Sequence, residues 1–302
     1  MSKFVGIELG GTKVNIITGT GLNDHSEMIR IPTRDPHSTW QNVIETLRSH
    51  QSQQGDFAGI GIASFGPINV SLRDPDYGTF LKTPKPGWSH FDLLGPLKAA
   101  FPQTQIVLDT DVNGAALGEH RWGGAQGLEN FAYVTVGTGV GVGVISNGKP
   151  VHGLLHPEAG HILIKRDLSA DPYIGHCPFH GDCLEGLICG PAIQARTGKA
   201  GEDLASDDPL WGVIGGYLAQ LFYNLTLISA PQRILVGGGV GLNEPVLTAA
   251  RDELHRLMGG YIEALSEHSA CERFVRPAHL REKAGVLGAL SMVCSAWTQH
   301  HP

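Results

Sequence analysis

Residues 4–21 read FVGIELGGTKVNIITGTG, and residues 131–148 read FAYVTVGTGVGVGVISNG. Both stretches run as an apolar strand, a turn rich in glycine or threonine, a second apolar strand and a turn that contains glycine. Such turns suit phosphate binding, because a backbone without side chains brings several N–H groups close to one anion. Two of these hairpins in one chain predict a duplicated α/β architecture, with a nucleotide held between two related halves.

The composition limits the class of protein. The 302 residues leave room for two domains, and 41% hydrophobic with 17% charged residues indicates globular cores. The formal net charge of −7, without a basic run, argues against nucleic-acid binding. No apolar stretch is long enough to cross a membrane, and no signal-peptide pattern is present. The odd number of cysteines favours a reducing compartment. We therefore expect a cytoplasmic protein without nucleic-acid or membrane partners.

Three glycine turns follow strands. The first contains Gly10, Gly11, Thr12 and Lys13 but lacks the spacing of a Walker loop, and an ordinary glycine hairpin is the alternative. Glu8 ends an otherwise apolar strand, where its carboxylate can hold Mg²⁺ through water. The second turn, with Gly137 and Thr138, offers backbone groups alone. The third, residues 237–239, suits the approach of a flat ring or ribose, with tight helix–strand packing as the alternative.

Residues 109–113 read DTDVN at a predicted strand-to-helix junction. Helix capping by Asp or Asn explains one of these polar residues, but it does not need all three. A general base for a sugar hydroxyl needs one fixed carboxylate within hydrogen-bond reach. In phosphoryl transfer, that carboxylate accepts the hydroxyl proton as the γ-phosphoryl group moves.

Cysteine and histidine residues cluster in residues 156–190. The best tetrahedral set for a structural Zn²⁺ is formed by His161, Cys177, His180 and Cys183. Competing ligands are His156, His176 and Cys189, and the alternative is a loop with free thiols and surface histidines. Glu158 and Glu185 flank the cluster, either as sugar-binding acids or as solvated surface acids.

Together these motifs resemble the ROK family of sugar kinases, and most closely its fructokinase branch. The resemblance covers nearly the whole chain and includes ELGGTK (8–13), FGP (65–67), TPKPGW (83–88), DVN (111–113), GTGVG (137–141), EAGH (158–161), CPFHGDCLE (177–185) and LVGGG (235–239). It implies the two-domain actin-like ATPase/hexokinase fold, a duplicated ribonuclease H-like arrangement, and transfer of the ATP γ-phosphoryl group to a sugar hydroxyl.

The resemblance also implies roles for single residues. Asp111 looks like the catalytic base, and Asn113, with Thr110 as an alternative, lies in the same motif. The family's sugar contacts match Glu158, Glu185 and His161, of which His161 also matches a zinc ligand, the role that we favour. The phosphate turns match Gly10, Thr12, Gly137 and Thr138, and the adenosine region matches Gly238 and Gly239.

Two departures from the broader family favour fructose. Glu8 stands where much of the family has Asp, and the metal loop has Cys-x2-His-x2-Cys where many members carry three cysteines. Both departures, like TPKPGW, resemble the fructokinase branch. Glucose, mannose or an N-acylated hexosamine are alternative acceptors. A non-catalytic sugar- or metal-binding protein is another alternative, and so is a ROK-type repressor, which needs a basic DNA-binding domain.

We expect a smaller N-terminal domain over residues 1–110, against which a C-terminal helix at about 285–302 packs. A larger domain is expected over residues 111–284, with the zinc-binding loop at about 156–190. The predicted ligands are Mg-ATP, structural zinc and a sugar, which we expect to be fructose phosphorylated at its 6-hydroxyl. The resemblance further implies a homodimer.

Overall fold

The computed structural model describes residues 3–300 of the chain. The strands are β1 (Lys3–Leu9), β2 (Lys13–Gly21), β3 (Asp24–His25), β4 (Ile29–Pro32), β5 (Phe57–Ser64), β6 (Gln105–Thr110), β7 (Phe131–Val136), β8 (Val140–Ser146), β9 (Lys149–Pro150), β10 (Ile234–Gly237) and β11 (Val275–Pro277). The helices are α1 (Pro36–Gln54), α2 (Leu94–Ala100), α3 (Asp111–Trp122), α4 (Leu184–Ile188), α5 (Gly190–Thr197), α6 (Leu210–Ser229), α7 (Glu244–Met258), α8 (His268–Phe274) and α9 (Ala284–His300).

The chain divides into two compact units of equal length. The first comprises residues 1–126, 152–156 and 283–302, and the second comprises 127–151 and 157–282. The division differs from the predicted one, which placed a boundary after residue 110 and made the second domain larger. Helix α3 falls in the first unit because it packs closely against α9.

The sheet of the first unit has the order β3-β2-β1-β5-β6, with β4 also paired to β2. Strands β1 and β2 form the antiparallel hairpin, whereas β1, β5 and β6 run parallel. The register pairs Leu9 with Ser64, and Ser64 with Thr110. The carboxyl ends of three parallel strands therefore lie side by side at one edge, which is where open α/β sheets bind ligands.

Glycines allow helices to pack closely in the first unit. A Cβ on Gly61 of β5 would lie 1.9 Å from the carbonyl oxygen of Ala289 in α9. A Cβ on Gly288 would lie 1.8 Å from the carbonyl oxygen of Gly114 in α3. No side chain fits at either crossing, so these glycines fix α9 between the sheet and α3.

The second unit repeats the same strand pattern. Its sheet has the order β11-β10-β7-β8-β9, in which β7 and β8 are antiparallel and β10 runs parallel to β7. A hairpin followed by a parallel third strand is thus common to both units, as the sequence repeat predicts. Helices α6 and α7 pack together in this unit, with Trp211, Phe222 and Leu254 in its core. Within residues 3–300, no helix has the length and apolar character needed to cross a lipid bilayer.

Candidate active site

The first glycine turn lies between β1 and β2, at the edge where the parallel strands end. Gly10 N–H donates to the Lys13 carbonyl at 3.0 Å, which closes the turn. Gly11, Thr12 and Lys13 are exposed. The N–H groups of Gly11 and Thr12 have no hydrogen-bond acceptor within the described residues. Two adjacent N–H groups are therefore open to an anion at the turn that the sequence indicated.

Glu8 lies on β1 just before this turn. Asn15 Nδ2 donates to its Oε2 at 2.7 Å, and a Cβ on Gly285 would lie 2.3 Å from its Oε1. Burial raises the pKa of Glu8, while the Asn15 bond and the charge of Lys13 oppose the shift. A nearby cation would offset this desolvation cost, so the carboxyl group is chemically suited to a metal-bound water.

The polar residues of the motif at 109–113 have different environments. Thr110 caps a helix, Asp109 and Asn113 are buried, and Asp111 is partly exposed. Thr110 is the N-cap of α3, and its Oγ1 accepts a bond from Asn113 N–H at 3.2 Å. Helix capping thus falls to a threonine and not to Asp or Asn, which the sequence analysis had considered. Asp111 is the first residue of α3, is partly exposed, and accepts a bond from Val112 N–H at 2.8 Å. A helix N-terminus favours an ionised carboxylate, so Asp111 is suited to accept a proton.

Asp109 has a different environment from Asp111. It is buried and accepts hydrogen bonds from its neighbour Thr110 N–H at 2.7 Å and from Asn113 Nδ2 at 2.8 Å. His152 Nε2 lies 3.1 Å from the same carboxylate. The bond to Asp109 and its charge raise the pKa of His152 against an opposing effect of burial. The sequence analysis missed His152, because nothing in its local pattern marks a partner 43 residues away.

Asn113 is completely buried. Its amide nitrogen is bonded to Asp109 and lies 3.2 Å from His152 Nε2. Its Oδ1 has no hydrogen-bond partner within the described residues. The amide oxygen is therefore the one side-chain atom of Asn113 whose hydrogen-bonding capacity is unused.

The second glycine turn, in the other unit, already carries a carboxylate. Glu185 Oε2 accepts a bond from Val140 N–H at 2.9 Å, and a Cβ on Gly139 would lie 2.7 Å from the same oxygen. Gly137 is anchored through its carbonyl, which accepts from Gly190 N–H at 2.7 Å, while Thr138 is exposed. The sequence indicated a backbone anion site at this turn. In the structure, the backbone N–H of Val140 binds the carboxylate of Glu185 there.

Glu158 lies near Glu185 in this unit. Desolvation and the negative charge of Glu185 raise the pKa of Glu158 to about 7. Glu158 therefore exchanges its proton near neutral pH, so its carboxyl group can either donate or accept a hydrogen bond.

The third glycine turn follows β10. Gly238 has φ of 80°, and a Cβ there would lie 2.3 Å from the Val136 carbonyl oxygen. A Cβ on Gly239 would meet no atom within 4 Å. Close packing accounts for Gly238, whereas Gly239 leaves open space for a ligand.

The four predicted zinc ligands meet in the second unit. The donor atoms of His161, Cys177, His180 and Cys183 all lie within 4.8 Å of one another. His161 Nδ1 lies 3.4 Å from Cys183 Sγ and 3.7 Å from Cys177 Sγ. Bond lengths of about 2.0–2.3 Å around a tetrahedral Zn²⁺ require separations of roughly 3.5 Å between such atoms, so the set fits the ion.

The competing ligands do not join this set. Among the described residues, these four form the one group whose donor atoms converge in this way. His156 Nε2 instead accepts a bond from Ile68 N–H at 3.4 Å in the first unit. The two nitrogens of His161 face different partners, since Nε2 lies 3.9 Å from Glu185 Oε1.

Comparison with known proteins identifies the class. Residues 4–296 match the ROK family, and the chain belongs to it. The chain is 41% identical to a fructokinase of Pediococcus pentosaceus, covering 96% of this chain and 97% of that protein. It is 38% identical to a putative fructokinase of Bacillus subtilis, covering 96% and 95%.

A solved structure with the same fold is the ROK hexokinase of Thermus thermophilus. The two chains share 25% identity and a TM-score of 0.74, covering 99% of each chain. The fold is the hexokinase-like, actin-like ATPase fold, and both the predicted fold and the predicted family are confirmed.

Proposed function

We propose that this chain is an ATP-dependent sugar kinase that transfers the γ-phosphoryl group of ATP to the 6-hydroxyl of fructose. The observation that carries the proposal is the position of Asp111, a partly exposed carboxylate at the edge where three parallel strands end. Identities of 41% and 38% to fructokinases over nearly the full chain support fructose as the acceptor.

Asp111 acts as the general base. As the sugar oxygen attacks the γ-phosphorus, the O–H proton passes to the Asp111 carboxylate and the new O–P bond forms. The bond between the γ-phosphorus and the bridging oxygen breaks, ADP leaves with that electron pair, and Asp111 returns its proton to solvent. The hydrogen bond from Val112 N–H orients the carboxylate before transfer.

The nucleotide binds as Mg-ATP at the glycine turns. The phosphates bind to the turn of Gly10, Gly11, Thr12 and Lys13 and to Gly137 and Thr138, while Gly238 and Gly239 border the adenosine. The exposed N–H groups of the first turn support this role. Glu8 would hold Mg²⁺ through water, and the ion would supply positive charge that neutralises the phosphates.

The sugar binds through polar groups with open acceptor or donor capacity. Asn113 offers its unpartnered amide oxygen, and Glu158 and Glu185 offer two neighbouring carboxyl groups, of which Glu158 has a pKa raised to about 7. His161, Cys177, His180 and Cys183 would hold a structural Zn²⁺, which would fix the segment that ends two residues before Glu185.

Two further expectations are part of the proposal. The enzyme acts as a homodimer, as the family resemblance implies, and light scattering of the purified protein tests this. It works in the cytoplasm, which the five free cysteines of the chain support, since thiols persist in a reducing compartment.

The test is a coupled assay of ADP release with Mg-ATP and one sugar at a time. Fructose, glucose, mannose and N-acetylmannosamine are compared, and fructose is expected to give the highest kcat/KM. Faster turnover of another hexose would contradict the choice of fructose while leaving the kinase intact. The absence of turnover on all four would favour a non-catalytic sugar-binding protein.

A further inference from the structure

Three consecutive carbonyl groups of the first glycine turn are tied to other segments of the same unit. The Gly10 carbonyl accepts a bond from Thr33 Oγ1 at 2.8 Å, and the Thr12 carbonyl accepts from Thr33 N–H at 2.9 Å. The Gly11 carbonyl between them accepts a bond from Lys85 Nζ. Thr33 directly follows β4, and Lys85 belongs to the TPKPGW segment.

These bonds determine where the N–H groups of the turn point. In a trans peptide, the C=O of one residue and the N–H of the next share a plane and point in opposite directions. The Thr33 hydroxyl therefore orients Gly11 N–H, and the Lys85 ammonium orients Thr12 N–H. These are the two exposed N–H groups that lack an acceptor within the described residues.

Lys85 is itself held in place. Its N–H donates to Thr83 Oγ1 at 3.4 Å, and its ammonium lies 6.0 Å from the centre of the Phe65 ring. Phe65 N–H in turn donates to the Leu9 carbonyl at 2.8 Å, which fixes the ring beside the turn. Lys13, by contrast, is exposed, and its ammonium forms no hydrogen bond within residues 3–300.

We propose that Thr33 and Lys85 are positioning residues that orient the two N–H donors of the first turn toward the ATP phosphates. The inference rests on the proposed function, because it assigns the anion as a phosphate of ATP. It also gives the Lys of TPKPGW a role in nucleotide binding, and not in the choice of sugar.

The test compares Lys85→Met and Thr33→Val with matched controls. Lys82→Met removes an exposed charge from the same segment, and Thr104→Val removes a hydroxyl that forms no hydrogen bond within the described residues. Affinities for Mg-ATP and for adenosine are measured by calorimetry, together with KM for both substrates and the thermal midpoint of each variant.

Both test variants are expected to weaken Mg-ATP binding and raise its KM by about tenfold or more, since bonds to charged groups contribute at least that factor. Adenosine affinity and the KM for fructose are expected to stay within about twofold. Lys85→Arg and Thr33→Ser, which keep the donor, are expected to restore most of the Mg-ATP affinity.

Unchanged Mg-ATP affinity in either test variant would overturn the inference, as would equal losses for Mg-ATP and adenosine. If Lys85→Met does not fold, the comparison of Thr33→Val with Thr33→Ser, and of Lys85→Arg with the native chain, decides the question in the same assays. A native chain that binds no Mg-ATP and phosphorylates no hexose would instead refute the proposed function.

Discussion

Two aspartates, separated by one residue, differ in what they can do chemically. Asp109 is buried, and its carboxylate is bonded to Asn113 of α3 and to His152. It therefore links these two segments of the first unit. Asp111 is partly exposed at the helix N-terminus. The side chain that stays accessible is therefore the one proposed as the base.

Replacing Asp111 tests the base directly. Asp111→Asn keeps the size of the side chain but cannot accept a proton, so kcat is expected to fall about 100-fold or more while the KM for Mg-ATP changes little. The measurement is steady-state kinetics with fructose. Asp207→Asn, an exposed aspartate of the other unit, serves as the control. Near-normal turnover by Asp111→Asn would rule out the assignment.

Glu158 predicts how folding stability depends on pH. Its pKa is raised from 4.5 to about 7, so the folded chain holds this proton more tightly than the unfolded chain. The free energy of unfolding should therefore decrease as the pH rises from 4.5 to 7. Glu158→Gln cannot ionise, and it should lose this part of the pH dependence in urea unfolding curves.

The control is Glu202→Gln, an exposed acid of the same unit, which should keep the native pH profile. If the Glu158→Gln curves follow the native ones across this pH range, then Glu158 ionises at an ordinary pKa.

At the scale of elements, one long connection of the second unit combines limited hydrophobic packing with polar contacts. Residues 162–183 contain no α-helix or strand, and Leu163, Leu168 and Ile174 are exposed. Arg166 Nη1 donates to Asp182 Oδ2 at 2.8 Å beside the four metal-ligating side chains. We expect the metal to supply much of the remaining order in this segment.

Removal of zinc should therefore lower stability. One zinc per chain is expected by elemental analysis, and a strong chelator should lower the thermal midpoint and raise proteolysis within residues 162–183. Cys183→Ala should lose the metal. Cys271→Ala, which alters an equally buried thiol, should keep it. A native chain without zinc that is unchanged by chelator would contradict the structural site.

The crossing of α3 and α9 makes a second prediction at this scale. Gly288→Ala should destabilise the fold by about 1–3 kcal/mol, because the added methyl group meets the Gly114 carbonyl. Gly212→Ala in α6, where a Cβ meets no atom within 4 Å, should leave stability unchanged or raise it by about 0.5–1 kcal/mol. Urea unfolding of both variants measures the difference, and equal stabilities would mean that the crossing tolerates a side chain.

For the whole molecule, duplication accounts for the two sheets but not for their different chemistry. In the first unit, the carbonyl groups of the turn accept hydrogen bonds from Thr33 and Lys85. The N–H groups of Gly11 and Thr12 are open. In the second unit, Glu185 accepts a bond from the backbone of the matching turn. The same hairpin thus leaves two N–H groups open in one half and holds a carboxylate through Val140 N–H in the other.

The sequence by itself determined the family and the duplicated hairpins, and it predicted the four metal ligands and the role of Asp111, because each depends on local spacing or on residue types within a short motif. The tertiary structure alone decided the boundary after Gln126, the bond between His152 and Asp109, and the contacts of Thr33 and Lys85 with the first turn. These features join segments far apart in the chain. Such contacts arise from packing and hydrogen bonding between elements, which no local pattern of residues records.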